Sequence, residues 1–190
     1  MNTLHLLNKA VYFAASVHRT QKRKGSDVPY ITHPLTVSLI LSRVSKNDNV
    51  IIAGILHDTI EDCEPYGSIT KSLIEKKFNP EIASIVDDLT EQDKTLPWAA
   101  RKLAAFNHIK SMSHDSLLVK SADILHNLVS LNDDIEKGGD KVFAKFNAPK
   151  SRTIKRYVGL MPELRKAWSV NPLVKDLEYE VTRLLRLAKV

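Results

Sequence analysis

The amino-acid sequence predicts an all-α protein, and three observations support this class. Apolar residues recur every three or four positions along most of the 190-residue chain, the spacing that places them on one face of a helix. No segment alternates apolar and polar residues convincingly, as a half-buried strand would. The chain has only six glycines, fewer than the many turns of a β-sandwich or β-barrel would need.

The first part of the chain predicts three helices around one loop. The first helix has an apolar face made of Leu4, Leu7, Ala10, Val11, Ala14 and Val17. Residues 21–33 interrupt this spacing with glycine, aspartate and proline, which predicts an ordered loop. A second helix is expected near Pro34, because proline is well tolerated in a first turn. A third is expected over residues 49–60, and its apolar first half predicts burial on all sides.

The later helices are expected to begin at capping or proline residues. These start signals are Ser68, Asn79 with Pro80, Pro97, and Asn171 with Pro172. The expected helices cover 68–78, the segments after 79 and 97, 115–131, 154–168 and 172–187. The Gly138–Gly139 pair predicts a break. Since no linker interrupts this series, we expect one domain over residues 1–190.

Composition and charge exclude several classes of protein. The single cysteine, Cys63, excludes an internal disulfide framework and a zinc ribbon. No signal peptide and no apolar run of about 18 residues are present, so a cytoplasmic protein without a membrane span is expected. The net charge of +6 favours anionic partners. Because no basic block is interleaved with aromatic residues, a small polyphosphate is favoured over nucleic acid.

The segment over residues 51–62 carries the strongest chemical signal. Five apolar residues and one glycine precede His57-Asp58, and Glu61-Asp62 follow one helical turn later. Four ionisable groups would therefore meet at the end of a buried helix. Three carboxylates this close are expected to raise each other's pKa values, and a metal cation would compensate their charge.

Two further polar features would complete such a site. The helix over 115–131 carries a polar stripe beside its apolar face, made of Lys120, Asp123, Asn127 and Ser130. His33 precedes Pro34, where an extended backbone would let its ring enter a cleft. Two histidines and two aspartates form a ligand set suited to Mn²⁺, Fe²⁺ or Zn²⁺.

Each signal also has a structural interpretation. His33 could cap a helix, Asp123 could be capped or solvated, and the Lys22-Arg23-Lys24 loop could be a solvated surface. Cys63 is expected to be an inert small residue. Five histidines are assigned to the surface or to packing, namely His5, His18, His108, His114 and His126. The metal hypothesis depends on the conjunction of His33, the His57-Asp58 pair and Asp123.

The order of these residues resembles the H…HD…D signature of the HD-domain phosphohydrolases. Within them, the chain is similar to the alarmone hydrolases, whose substrates are guanosine tetra- and pentaphosphate. The resemblance is carried by Arg23-Lys24-Gly25, Pro29 to Pro34 (PYITHP), Leu56 to Asp62 (LHDTIED), Val119 to Asp123 (VKSAD) and Leu125 to Leu128 (LHNL). Asp93 to Pro97 (DKTLP) is similar to a segment of the stand-alone members.

This resemblance implies an HD-type helical bundle with C-terminal helices packed on it, and a role for each matching residue. The implied metal ligands, usually for Mn²⁺, are His33, His57, Asp58 and Asp123. The implied catalytic pair that activates water is Glu61 and Asp62. The implied substrate contacts are Arg23, Lys24, Lys94 and Asn127. No synthetase domain of the long bifunctional members is expected.

The resemblance leaves the substrate open. The family often has arginine where Val129 stands and a basic residue where Ile124 stands. The expected reaction is metal-dependent removal of the 3′-pyrophosphate of the alarmones, giving GDP or GTP. Hydrolysis of another nucleotide, such as the 2′-phosphate of NADPH, and a catalytically silent nucleotide-binding regulator remain alternatives. A nucleic-acid-binding helical protein is a distant third. The oligomeric state is not predicted.

Overall fold

The computed structural model describes residues 2–91 and 95–190, and across these two ranges the chain forms α-helices and no β-sheet. The expected all-α class is therefore confirmed. The helices are α1 (Thr3–Val17), α2 (Thr32–Val44), α3 (Asp48–Leu56), α4 (Lys71–Lys77), α5 (Pro80–Leu89), α6 (Trp98–His108), α7 (His114–Gly138), α8 (Lys150–Ala167) and α9 (Val174–Leu187). Short 3₁₀ segments follow α6 (Ile109–Ser111) and α7 (Gly139–Lys145).

Helices α2 and α3 form a hairpin at the centre of the fold. The connection covers only residues 45–47, where Asn47 caps α3 by accepting a hydrogen bond from the Asn49 N–H at 3.0 Å. Six of the nine residues of α3 are buried, as its apolar sequence predicts. A tight hairpin places the start of α2 beside the end of α3. His33 and His57 therefore lie at the same end of the pair.

Gly54 allows the two helices of this hairpin to approach closely. A Cβ atom at Gly54 would overlap Cδ1 of Leu41 and would also contact the Ser38 backbone of α2. Leu41 is fully buried, so its side chain has no free space into which it could rotate. The absence of a side chain at Gly54 thus sets the spacing between α2 and α3.

Helix α7 packs against α2, α3, α5, α8 and α9. It extends over 25 residues and ends at Gly138, where Gly139 has a φ of 60°. The Gly138–Gly139 break is confirmed, but the predicted end of this helix at residue 131 is seven residues too early. The extension is held by α9, because the buried side chain of Asn132 donates hydrogen bonds to the Glu180 backbone carbonyl and carboxylate at 2.9 and 2.7 Å.

Several other predicted helix limits differ from the structure; α8, for example, begins at Lys150 and not near residue 154. The third helix ends at Leu56, not at residue 60, because side chains compete for its last carbonyls. His57 Nδ1 donates to the Gly54 carbonyl at 2.8 Å, and Thr59 Oγ1 donates to that of Leu56 at 2.7 Å. Thr70, not Ser68, caps α4. Helix α2 begins at Thr32, so His33 lies in its first turn and not in extended backbone.

The C-terminal helices share the core of the N-terminal ones. Leu160 and Leu164 of α8 and Leu177 and Leu184 of α9 belong to the same buried cluster as α2 and α3. Within the described residues, no helix is long and apolar enough to cross a membrane.

Candidate active site

The ends of α2 and α3 bring two histidines and an aspartate together. His33 and His57 are 1% and 2% exposed, and their ring centroids lie 5.1 Å apart. Asp58 follows His57 in the turn after α3, and its Oδ2 lies 3.1 Å from His57 Nε2 and 3.5 Å from His33 Nε2. The ligand atoms of these three residues all lie within 4.8 Å of one another, a spacing that could hold a metal ion.

Asp123 of α7 faces the same point from the opposite wall. Its Oδ1 lies 3.3 Å from His33 Nε2 and 4.0 Å from His57 Nε2. The four residues expected to be metal ligands are thus adjacent in space, although they come from three separate segments of the chain. Lys120, one turn earlier on α7, pairs with the other oxygen of Asp123 at 3.3 Å.

The hydrogen bonds of His57 leave one ring nitrogen suited to a cation. A carbonyl can only accept, so Nδ1 carries the proton that it donates to Gly54. The buried Nε2 has no hydrogen-bond partner among the described residues, despite its closeness to Asp58. A metal cation can bind the lone pair of Nε2 without the donor–acceptor alignment that a hydrogen bond requires. Imidazole and carboxylate donors suit Mn²⁺, Fe²⁺ or Zn²⁺. The donor set therefore fits a divalent metal ion.

The charges of the cluster support the same conclusion. Burial lowers the pKa of His57, but the carboxylates of Asp58 and Asp123 outweigh burial and raise this pKa to about 9. Burial raises the pKa of Asp58, but His57 and His33 outweigh it and hold the pKa well below its usual range. The pKa of Asp123 is also lowered, with Lys120 as the largest opposing charge to burial. The cluster therefore attracts positive charge, as a proton or as a metal ion.

The expectation that neighbouring carboxylates raise each other's pKa values is correct for Glu61 and wrong for Asp58. Burial raises the pKa of Glu61, and the charges of Asp58, Glu91 and Asp62 raise it further. The pKa of Asp58 falls, because the imidazoles of His57 and His33 outweigh burial and the charge of Asp123. The sequence shows how many carboxylates are near, but not which cation lies against each.

Tyr30 connects a candidate metal ligand to the candidate catalytic residues. Its hydroxyl donates to Asp58 Oδ2 at 2.6 Å and lies 3.3 Å from Asp62 Oδ2. The carboxylate of Glu61 accepts a hydrogen bond from the backbone N–H of Glu91 at 3.3 Å. Glu61 and Asp62 thus lie beside the metal cluster in the turn after α3, and both line the same cavity as Asp58.

The candidate substrate residues extend from this cluster. Arg23 Nη2 donates to Asn127 Oδ1 at 2.9 Å, and Asn127 Nδ2 donates to Asp123 Oδ1 at 2.6 Å. The Arg23 guanidinium also lies 5.7 Å from the centroid of the Tyr30 ring. Lys24 lines the cavity beside them. Lys94, the fourth expected substrate contact, lies outside the described residues.

The cavity has a volume of about 750 Å³ and continues along α7. Six polar residues of this helix, spaced by three or four positions, are among those that line it: Lys120, Asp123, Asn127, Ser130, Asp134 and Lys137. Phe146, Arg156 and Tyr157 also line the cavity. The polar stripe expected on this helix is therefore longer than residues 120–130.

Sequence reasoning missed two residues of this site. His126 was assigned to the surface or to packing, but its Nδ1 lies 2.6 Å from His33 Nδ1. Tyr30 was quoted within a motif and given no role. A signal for His126 existed, because it lies one helical turn after Asp123 on the same face. Burial, His33 and Arg23 lower the pKa of His126 to about 4, so its ring is neutral.

A comparison with family models places residues 10–152 in the HD domain. The chain belongs to the HD-domain family. Among curated proteins, this HD domain is 41% identical over 130 residues to a Danio rerio protein named guanosine-3′,5′-bis(diphosphate) 3′-pyrophosphohydrolase MESH1, covering 67% of this chain and 69% of that protein. It is 39% identical over 132 residues to GTP pyrophosphokinase rsh of Brucella melitensis, covering 66% of this chain but only 17% of that longer protein.

Two solved structures share the fold of this HD domain. One is a metazoan orthologue of SpoT described as hydrolysing ppGpp, with a TM-score of 0.74 and 27% identity. That match covers 95% of this chain and 94% of the other. The second is lmo0812 from Listeria monocytogenes, with a TM-score of 0.70, 25% identity and coverage of 83% and 99%. The match to the SpoT orthologue includes the C-terminal helices, which the family model does not reach.

Proposed function

We propose that this HD domain hydrolyses the 3′-pyrophosphate of guanosine tetra- and pentaphosphate, releasing pyrophosphate and GDP or GTP. One observation carries the proposal: two histidines and two aspartates converge in the wall of one cavity, with the buried Nε2 of His57 left without a hydrogen bond among the described residues. The names of the MESH1 relatives and the activity of the SpoT orthologue support this substrate.

The residues that would hold the metal ion are His33, His57, Asp58 and Asp123. Mn²⁺ is the proposed ion, on the basis of the family resemblance and the mixed imidazole and carboxylate donors. When bound, the ion supplies Lewis acidity toward the phosphoryl group and neutralises charge there.

Glu61 and Asp62 are proposed to orient and deprotonate the attacking water. Water adds to the phosphorus next to the 3′ oxygen, the bond between that oxygen and phosphorus breaks, and the 3′ oxygen takes up a proton. Burial and neighbouring carboxylates raise the pKa of Glu61, which makes it a better proton acceptor than an exposed glutamate. The Tyr30 hydroxyl holds the carboxylates of Asp58 and Asp62 in one orientation.

The length and charge of the cavity favour a substrate with more than one anionic group. The helical rise from Asp123 to Lys137 is about 21 Å. Four cationic side chains line the cavity together with the metal cluster, namely Arg23, Lys24, Lys137 and Arg156. An alarmone carries one phosphate chain on the 3′ oxygen and one on the 5′ oxygen, so these cations are proposed to neutralise the charge of the two chains.

We further propose that residues 1–190 act as one domain in the cytoplasm, on small phosphorylated nucleotides. The shared core of α2, α3, α8 and α9 supports the single domain. The lone cysteine, Cys63, supports a reducing compartment.

A substrate panel tests the proposal. The purified protein is incubated with Mn²⁺ and, separately, with guanosine tetraphosphate, guanosine pentaphosphate, NADPH and GTP, and the products are resolved by ion-exchange chromatography. The expected result is metal-dependent release of pyrophosphate from the two alarmones and none from GTP, with EDTA-treated protein as the control. Phosphate release from NADPH, without pyrophosphate release from the alarmones, would instead identify NADPH 2′-phosphate hydrolysis as the activity. Binding of the alarmones without turnover would identify a regulator.

A further inference from the structure

His126 and His33 form a hydrogen bond between two ring nitrogens. Their Nδ1 atoms lie 2.6 Å apart, their ring centroids lie 4.9 Å apart, and the ring planes differ by 18°. Rings that are nearly parallel at this separation, with such a short nitrogen–nitrogen distance, meet edge to edge. A bond between two imidazole nitrogens requires one protonated donor and one unprotonated acceptor.

Only one direction of this bond is compatible with metal binding by His33. Its Nε2 faces Asp58 and Asp123, so Nε2 is the nitrogen that must offer a lone pair. A neutral imidazole with a free Nε2 carries its proton on Nδ1. His33 Nδ1 then donates, and His126 Nδ1 must accept.

We propose that His126 is a positioning residue that holds His33 in the tautomer and ring orientation required for the metal ion. The Gly54 carbonyl does the same for His57, since it accepts the His57 Nδ1 proton. The two histidines are therefore oriented by different acceptors, a backbone carbonyl for one and a replaceable side chain for the other. Because α7 carries both Asp123 and His126, one helix supplies a ligand and the acceptor that orients another ligand. This inference rests on the metal site of the proposed function and not on its substrate.

Affinity for Mn²⁺, measured by calorimetry on the metal-free protein, tests the role without turnover. His126→Leu removes the acceptor, and we expect Mn²⁺ binding to weaken about 10- to 100-fold, the usual effect of losing a partner of a metal-bound histidine. His126→Asn places an amide oxygen near the former position of Nδ1, so affinity is expected to return to within a few-fold of the unmodified protein. His114→Leu, at the exposed first residue of the same helix, is the matched control and is expected to leave affinity unchanged.

Nitrogen NMR of the histidine rings tests the protonation directly. With diamagnetic Zn²⁺ as the probe, His33 is expected to show a protonated Nδ1, and His126 an unprotonated Nδ1 with its proton on Nε2. This measurement uses the unmodified protein and so does not depend on the folding of a variant. A protonated His126 Nδ1 in the Zn²⁺ complex would overturn the inference.

Two further outcomes would also overturn it. One is an unchanged Mn²⁺ affinity in a folded His126→Leu variant. The other is an equal loss in His126→Asn and His126→Leu, accompanied by a lower melting temperature of the metal-free proteins, which would mean that His126 only fills space. Failure of the substrate panel with normal Mn²⁺ binding would instead contradict the proposed substrate and leave the role of His126 intact.

Discussion

Two regions of the molecule contribute the candidate site residues in different ways. Helix α3 ends at Leu56, and the turn that follows places His57, Asp58, Glu61 and Asp62 within six residues. Helix α7 continues unbroken past Asp123 to Gly138 and lines the cavity along its length. The turn concentrates the groups proposed for metal binding and chemistry, whereas the helix distributes the candidate substrate contacts over distance. Substitutions in the turn should therefore abolish function, and those along the distributed wall should have graded effects.

The largest effect is expected for Asp58→Asn. The substitution removes a charge from the metal cluster, so metal content and turnover should be lost together, with activity falling to that of metal-free protein. Elemental analysis and the rate of pyrophosphate release provide the measurement. Asp27→Asn, in an exposed loop where Asp27 pairs with Lys22, is the matched control. Normal metal content in Asp58→Asn would show that the turn is not the metal-binding region.

Glu61→Gln and Asp62→Asn separate chemistry from metal binding within the turn. If these residues act on the attacking water, kcat should fall by about 10²- to 10⁴-fold, the usual contribution of a positioned acid or base. Metal content and melting temperature should stay near those of the unmodified protein. Full activity in the double variant would remove the assigned role from both carboxylates.

Tyr30→Phe tests the connection between the two carboxylates. The variant loses the hydroxyl that donates to Asp58 but keeps the ring beneath Arg23. A hydrogen bond to a charged group contributes about 1.5–3 kcal/mol, which corresponds to a fall of about 10- to 100-fold in kcat. KM should change little in Tyr30→Phe and rise in Tyr30→Ala, which also removes the ring. An equal KM in the two variants would show that the ring does not support Arg23.

Arg23→Ala should act on binding more than on chemistry. Its guanidinium bonds to Asn127 at 2.9 Å and lines the cavity, so its loss should raise KM. The expected increase is about 10-fold, from about 1.5 kcal/mol for one charge-assisted hydrogen bond. Lys22→Ala is the control, because Lys22 is exposed and pairs with Asp27. Equal KM values in Arg23→Ala and Lys22→Ala would show that the loop carrying Arg23 is a solvated surface and does not bind the substrate.

The smallest effect is expected in the pH dependence of the metal-free protein. The folded pKa of His57, about 9, exceeds its ordinary value of 6.5. Protonated His57 therefore stabilises the fold fully below about pH 6.5, and this stabilisation is lost as the pH rises through about 9. Melting temperature measured between pH 6 and 10 should fall more steeply for the unmodified protein than for His57→Asn. Parallel curves would show that the cluster does not retain the proton.

The convergence of His33, His57, Asp58 and Asp123 could be predicted because short motifs on amphipathic helices leave few ways to bury their charges. The turn after Leu56 could not be predicted. It is formed by hydrogen bonds from the His57 and Thr59 side chains to backbone carbonyls, and the spacing of apolar residues carries no information about such hydrogen bonds.

Other features depended on residues distant in the sequence. The extension of α7 beyond residue 131 is stabilised by Glu180, which lies 48 positions after Asn132. The partnership of His126 with His33 spans 93 positions and depends on how two ring edges meet across helices. Neither contact leaves a periodic signal, so the apolar pattern alone could not reveal them.

Gly54 is not among the residues that line the cavity, yet it links helix packing to the candidate site. An alanine there would push α3 away from Leu41 and Ser38, while the Gly54 carbonyl also orients His57. A mutational survey that scores only activity would therefore class Gly54 with the catalytic residues. A survey that also scores abundance would separate it from them, because Gly54→Ala should lower stability as well as turnover. For enzyme engineering, Gly54 should therefore be kept so that the α2–α3 spacing is unchanged. Residues of the cavity wall other than the candidate metal ligands can then be varied to change substrate preference.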